Sequence, residues 1–134
     1  MATAHESSAS ASGVARAHRA IALFFLLGGA VQFVLAGYSA FGGSDWEPHQ
    51  AWGSILSLIA LILLILAAVG RREALQASAI LFGLMLLQHF LGGAGEDAPA
   101  LGALHPLNGL LILGTASLAA AGSRVRFGPP HRTA

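Results

Sequence analysis

Four long runs of apolar residues constrain this chain more than any other feature of its sequence. They extend over residues 20–41, 51–69, 75–91 and 101–121. An α-helix needs about 20 residues to cross a hydrocarbon layer about 30 Å thick, and each run is close to that length. Inside such a layer every backbone polar group needs an internal partner, and the two-residue alternation of barrel strands is absent. We therefore predict four transmembrane helices.

Composition supports a membrane protein and excludes several classes of function. The chain is 55% hydrophobic and 10% charged, whereas soluble domains carry about 25% charged residues. A net charge of +1 does not suggest a nucleic-acid partner. Cysteine is absent, and the sequence has no phosphate-binding glycine loop, serine nucleophile elbow or paired carboxylates inside a run. The lipid bilayer is the predicted partner, no catalytic residue is assigned, and enzymatic activity stays undecided.

The placement of the charges predicts the orientation of the chain. The basic residues are all arginines, and they lie in the two tails and in the loop between the second and third runs: Arg16, Arg19, Arg71, Arg72, Arg124, Arg126 and Arg132. The other two loops carry acidic residues and no arginine or lysine. By the positive-inside rule, both termini are cytoplasmic in a multi-pass protein of the inner (plasma) membrane. An alternative interpretation of the first run is a secretory signal, but its apolar stretch is longer than the usual 7–15 residues.

The predicted organisation is a single helical domain between two tails. Residues 1–13, rich in alanine and serine, are predicted to be a disordered tail, and residues 123–134 a C-terminal tail. Residues 14–122 form the all-α four-transmembrane-helix bundle. Its helices are predicted at about 16–41, 47–69, 73–92 and 98–121. Pro106 removes a backbone donor in the fourth helix, so we expect a bend there.

An internal repeat relates the two halves of the bundle. An offset of 56 residues aligns identical residues, among them Gln32 with Gln88, Leu35 with Leu91, Gly37 with Gly93, His49 with His105, and Gly53 with Gly109. Each half is thus one copy of a helical hairpin. Because a hairpin crosses the membrane twice, both copies keep the same orientation, and equivalent residues lie at equal depth. The bundle is predicted to consist of two tandem helical hairpins.

The repeat predicts a cofactor site at the matched histidines. His49 and His105 begin the second and fourth helices, so they face each other across the bundle if both point inward. Gly53 and Gly109 lie one turn deeper on the same faces and leave room beside them. Two imidazoles at one level are the axial ligands that a six-coordinate haem iron requires. We predict haem b, with His49 and His105 as metal ligands and Gly53 and Gly109 beside the ring.

Three other polar residues have two interpretations each. Gln32 and Gln88 are placed to bond the ring substituents of a haem, or to serve as hydrogen-bonding glue between helices. His89, whose counterpart is Phe33, is interpreted as a further haem-binding residue or as a packed histidine bonded to a carbonyl. His18 is attributed to an interfacial position beside Arg16 and Arg19, and a second bis-histidine site is not expected.

Two pairs of segments resemble a known family. LLQHFLGGAG followed by ALHPLNGLLIL resembles the third and fourth helices of one half of heme A synthase, and VQFVLAGYSAF with PHQAWGSIL resembles the first and second. The resemblance covers roughly 16–121. The chain also resembles a family of small four-helix membrane proteins of unknown function. Residues Trp46 and Gly102 stand where heme A synthase has an acidic residue, one turn before each ligand histidine.

The resemblance implies a haem held by His49 and His105, which agrees with the pairing derived from the repeat. Heme A synthase has two such bundles and this chain has one, so oxygenation of a haem is not expected unless the chain dimerises. The leading hypothesis is a b-type cytochrome-like membrane protein for electron transfer or haem handling, with a membrane redox partner or a homodimer. The alternative is a non-enzymatic membrane scaffold or accessory subunit whose polar pairs join its helices.

Overall fold

The regular structure is entirely helical in the part of the chain that is described. The computed structural model describes the backbone of residues 2–95 and 97–122 and the side chains of 12–95 and 97–122. The elements are α1 (Ala2–Ala40), α2 (Glu47–Gly70), a 3-10 turn (Arg72–Ala74), α3 (Leu75–Ala94), α4 (Pro99–Gly102) and α5 (Leu104–Ala121). The predicted all-α class is confirmed for these residues.

Four helical segments are long and apolar enough to cross a membrane, as predicted. They are Ser12–Ala40, Glu47–Gly70, Arg72–Ala94 and Pro99–Ala121. Their outward surface is apolar as well: Val34, Val69 and Leu110 are 70%, 74% and 60% exposed. A continuous apolar surface of this kind suits lipid as solvent, whereas a soluble protein exposes such side chains singly. The chain is therefore a multi-pass membrane protein by the length and composition of its helices.

The four spans form a ring in which each packs against two others. Both α1 and α3 contact α2 and α5, so α1 stands diagonally opposite α3, and α2 diagonally opposite α5. The centre is built largely from alanine, which lets membrane helices approach closely; fully buried examples are Ala22, Ala60, Ala67, Ala77 and Ala116. We call the end with the α1–α2 and α3–α4 connections the hairpin end, and the end with the α2–α3 connection the turn end.

The two predicted tails have different outcomes. The N-terminal one is helical from Ala2, and the C-terminal one lies outside the described residues. The sequence predicts a disordered tail over residues 1–13, whereas α1 begins at Ala2. Alanine has the highest intrinsic helix propensity, and a long span already nucleates the helix, so the segment extends it at little cost. The predicted C-terminal tail, 123–134, lies outside the described residues.

The fourth predicted helix is interrupted. It divides into α4 and α5 at Ala103, although the prediction was one helix over about 98–121. Pro106 has no N–H to donate to the carbonyl of Gly102, and its ring crowds that turn, so the helix is disrupted there. Just before the break, Gly95 and Gly102 pack so closely that a Cβ on Gly95 would lie 2.9 Å from the Cα of Gly102. The break sets the start of α5, which carries His105.

Candidate functional site

The two repeat-related histidines meet across the bundle at the hairpin end. His49 lies in the first turn of α2 and His105 in the first turn of α5, on diagonally opposite helices. Their ring centroids are 6.0 Å apart and the ring planes are inclined by 49°. Trp46 stands edge-on to His49 with a centroid distance of 5.6 Å. The structure thus brings both predicted ligands together at one level.

Both imidazoles are held in the same way by the preceding helix. His49 Nδ1 lies 3.3 Å from the carbonyl oxygen of Gln32, and His105 Nδ1 lies 3.1 Å from that of Gln88, each pair 17 residues apart. A carbonyl oxygen can only accept, so in both rings the Nδ1 atom carries the proton and donates it. The Nε2 atoms therefore keep their lone pairs. This tautomer is the one in which a histidine binds a metal through Nε2 while its other nitrogen is fixed by a carbonyl.

The glutamine side chains, in contrast, do not follow the repeat. Gln32 Nε2 donates to the carbonyl oxygen of His49 at 2.8 Å and lies 3.3 Å from His49 Nε2. The Gln88 Oε1 atom accepts from Asn108 Nδ2 at 2.6 Å. Asn108 also donates to the carbonyl oxygen of Leu84 at 2.9 Å. Identical residues at equivalent positions therefore have different partners, because only the second half carries an asparagine beside its glutamine.

The two site glycines both lie where another side chain approaches the helix. A Cβ on Gly53 would lie 3.0 Å from Gln32 Nε2, and a Cβ on Gly109 would lie 3.1 Å from the Cζ atom of Phe33. Both glycines are buried. The space that they leave therefore admits Gln32 in one half and Phe33 in the other.

A cavity of about 880 Å³ contains all the predicted site residues. Its volume is within the range of about 300–1,000 Å³ that is usual for ligand sites. Most of its lining is apolar, and the polar side chains project from different helices; the titratable and amide residues among them are Gln32, His49, Gln50, Gln88, His89 and His105. An apolar cavity with a few convergent polar groups is the usual form of a cofactor site.

His89 is bonded to the neighbouring helix and not to a carbonyl. Its Nε2 atom lies 2.7 Å from Ser57 Oγ, and Ser57 Oγ in turn donates to the carbonyl oxygen of Gly53 at 3.1 Å. His89 is exposed on the bundle surface and also lines the cavity. The histidine thus stands at the edge of the cavity, with a hydroxyl group fixing one of its nitrogens.

A second polar cluster lies at the turn end, and the sequence interpretation missed it. His18 is completely buried among the helices, a packing that its interpretation as an interfacial residue did not predict. Its Nδ1 atom accepts from Arg71 Nη1 at 2.9 Å, since arginine only donates, and its Nε2 atom lies 3.0 Å from Ser78 Oγ. This cluster is separate from the histidine pair at the hairpin end, because residues 18 and 32 of α1 are about 21 Å apart along the helix.

Arg71 joins this cluster to the remaining helices. It is 7% exposed; its Nη2 atom donates to the carbonyl oxygen of Ala120 at 3.2 Å, and its Nε atom to Glu73 at 3.3 Å. The signal that identifies the cluster is in the repeat: the counterparts of His18 and Ser78 are Ala74 and Ala22, so each half has one polar residue where the other half has an alanine. The cluster ties all four spans together at that end.

The two histidines are too few to hold a metal ion with protein ligands alone, but two imidazoles are the number that haem iron takes as axial ligands. No group of three or more histidine, cysteine, aspartate or glutamate side chains within the described residues is placed to hold a metal ion. Two imidazoles on one iron have centroids about 6 Å apart, since each metal–nitrogen bond is about 2 Å and each centroid lies about 1 Å behind its nitrogen. The observed 6.0 Å agrees with this spacing. Two imidazoles at this spacing are the donor set that an axial pair on a haem iron would need.

Comparison with known proteins yields a partial family match. The model of a family of unknown function, DUF6220, matches residues 32–95, slightly less than half of the 134 residues. The match includes Gln32, His49 and Gln88 and ends before His105. No curated protein and no solved structure matches the chain. None of these comparisons links the chain to heme A synthase, so that resemblance has no support beyond the residues quoted for it.

Proposed function

We propose that this protein is a b-type cytochrome-like membrane protein that binds one haem between His49 and His105, for electron transfer or haem handling. One observation carries the proposal: two repeat-related imidazoles, each with Nδ1 bonded to a carbonyl, have ring centroids 6.0 Å apart inside a cavity of about 880 Å³. Haem iron supplies one-electron chemistry when its axial positions are filled by histidine.

The other residues of the cavity have roles in the same proposal. The carbonyls of Gln32 and Gln88 orient the two rings, and a fixed ring loses less freedom when its Nε2 atom becomes a ligand. The apolar lining excludes water and lowers the local dielectric constant, which tunes the reduction potential. His89 donates through Nε2 to Ser57 Oγ at the edge of the cavity, so its Nδ1 atom is an acceptor for a protonated substituent of the ring. Gly53 and Gly109 leave space on α2 and α5 that the Gln32 and Phe33 side chains approach, and a larger residue at either position would crowd the cavity.

The same proposal includes the orientation of the bundle. The arginine-rich turn end is placed in the cytoplasm of the cell and the acidic hairpin end outside the inner (plasma) membrane, following the positive-inside rule. The haem is then near the outer leaflet. An electron partner approaches from that side or through the bilayer, and the partner is a second membrane protein or another copy of this chain.

A second candidate function, a non-enzymatic scaffold or accessory subunit, is favoured by a different observation. The polar side chains are used in bonds between helices: Gln32 to His49, Asn108 to Gln88, and His18 to Arg71. Hydrogen bonds of this kind hold membrane helices together without any cofactor. In that case the histidine pair contributes to packing, and the protein is colourless.

Visible spectra separate the two candidates. The protein is purified in detergent from haem-sufficient cells, and oxidised and dithionite-reduced spectra are recorded. The haem proposal predicts a low-spin b-type spectrum that is lost in His49→Ala and in His105→Ala. His5→Ala, outside the four spans, is the control and should keep the spectrum. A colourless wild-type protein overturns the proposal in favour of the scaffold. A low-spin spectrum that survives both site variants overturns the assignment of His49 and His105 as the haem ligands.

A further inference from the structure

The two histidines of the pair are equivalent in sequence but differ in what surrounds their free nitrogens. In the first half, Gln32 Nε2 lies 3.3 Å from His49 Nε2, which has no proton in this tautomer and therefore accepts from the amide. In the second half, no described residue hydrogen-bonds to His105 Nε2. The sequence repeat does not predict this difference, since both histidines have a glutamine 17 residues earlier.

Asn108 is the cause of the difference. Its Nδ2 atom donates to Gln88 Oε1 at 2.6 Å, so Gln88 is held against α5 at Asn108, one turn away from His105. The counterpart of Asn108 in the first half is Trp52, whose Nε1 atom donates to the carbonyl oxygen of Gly28 at 2.8 Å. Trp52 therefore offers nothing to Gln32, and Gln32 bonds to His49 instead.

The amide orientation of Gln32 follows from its partners. Its nitrogen donates to the carbonyl oxygen of His49 at 2.8 Å, and a rotated amide would place two oxygens against each other. Gln32 Oε1 is buried without a hydrogen-bond partner in the described structure. The Gln32 amide nitrogen is thus fixed toward His49. Its hydrogen bond to His49 Nε2 needs a lone pair on that atom, which agrees with a proton on His49 Nδ1.

We propose that Gln32 is a positioning residue that makes the two histidines unequal ligands of the haem iron. His49 would dissociate from the iron more readily than His105. The inference rests on the proposed haem site. His49 Nε2 has two uses, as a ligand and as the acceptor of the Gln32 amide, and the second lowers the free energy of the unligated ring. His105 has no such alternative among the described residues. A small exogenous ligand of haem iron therefore displaces His49 and not His105.

Carbon monoxide binding to the reduced protein tests the inference with a matched pair of variants. Gln32→Met and Gln88→Met remove equivalent amides, and the flexible thioether fills a similar space. Gln32→Met should lower the affinity for carbon monoxide about fivefold, the factor that a hydrogen bond of about 1 kcal/mol corresponds to. Gln88→Met should leave it unchanged, because Gln88 does not bond to His105. Equal effects of the two variants, or a larger effect of Gln88→Met, overturn the inference.

A measurement without haem separates this inference from the proposed function. Nitrogen-15 spectra of histidine-labelled protein in lipid nanodiscs report hydrogen bonding at each imidazole nitrogen. The His49 Nε2 signal should move toward that of a free lone pair in Gln32→Met, while the His105 Nε2 signal stays unchanged in Gln88→Met. An unchanged His49 signal overturns the inference whether or not haem binds. Absence of haem from the wild type, with the His49 signal shifted as expected, defeats the proposed function but leaves the unequal hydrogen bonding established.

Discussion

Trp52 and Asn108 occupy equivalent positions in the two hairpins, and each donates a side-chain hydrogen bond to the carbonyl oxygen of the residue 24 positions before it. The acceptors, Gly28 and Leu84, are also equivalent. A large residue faces glycine in one half, and a small residue faces leucine in the other. The two hairpins therefore keep the same interhelical hydrogen bond with the sizes of the partners exchanged, which maintains close packing with different side chains.

The exchange predicts that Gly28 is a sensitive position. A Cβ there would lie 2.8 Å from Leu56 Cδ2 and 3.2 Å from Trp52 Cζ2, so Gly28→Ala requires the end of the Leu56 side chain and the Trp52 ring to move. We expect Gly28→Ala to destabilise the bundle by about 1–3 kcal/mol, the usual range for overpacking. Thermal unfolding in detergent measures this. Gly114→Ala is the control, because nothing lies within 4 Å of its Cβ position, and it should be neutral or slightly stabilising.

Arg71 is predicted to be a principal stabilising residue at the turn end. Arg71→Met removes its hydrogen bonds to His18 and to the carbonyl oxygen of Ala120, and leaves His18 Nδ1 buried without a donor. A loss of about 1–3 kcal/mol is expected, because buried acceptors are left without their donor. Arg72→Met is the matched control, since Arg72 is the next residue and is exposed. Equal melting temperatures for the two variants would show that the cluster contributes little.

Crowding beside the imidazoles should reduce haem binding. Gly53→Leu places a side chain where Gln32 Nε2 already lies 3.0 Å from the Cβ position, inside the cavity. We expect the haem content per chain to fall several-fold, while the helical circular dichroism signal is retained. Gly83→Leu provides the comparison, because its Cβ position is open and outside the cavity lining. Unchanged haem content in Gly53→Leu would exclude a ring position next to this glycine.

The absence of cysteine makes the orientation straightforward to measure. A single cysteine at Ser44→Cys, in the α1–α2 connection, should react with a membrane-impermeant maleimide in intact cells. A single cysteine at Arg72→Cys, in the α2–α3 connection, should react only after the membrane is permeabilised. This pattern follows from the arginine distribution. Labelling of Arg72→Cys in intact cells would reverse the orientation and place the histidine pair near the cytoplasmic leaflet.

The spans could be predicted from the sequence because hydropathy alone decides whether a segment is soluble in lipid. The repeat also predicted which residues share a level, since a duplicated hairpin keeps its register. The break at Ala103 was predicted only as a bend, because the cost of Pro106 depends on how closely Gly95 and Gly102 pack. The burial of His18 could not be predicted either, because it depends on how Arg71 and Ser78 pack against α1, which the sequence pattern does not specify.

The different partners of Gln32 and Gln88 could not be predicted from the residues themselves. Their positions match across the repeat, and so does the histidine that follows each. What distinguishes them is Asn108, one turn beyond His105, which competes for Gln88. The sequence signal for this difference is Asn108, a polar residue at the position where the other half has Trp52. Polar mismatches within a repeat therefore identify where the two halves of such a bundle differ in chemistry.

Haem content per chain tests the central claim most directly. Pyridine haemochrome measurement on purified protein of known concentration gives the number of haem b groups for each polypeptide. We predict one haem b per chain in the wild type and close to none in the double variant His49→Ala with His105→Ala. A wild type without haem, or a double variant that retains a full haem, would contradict the account.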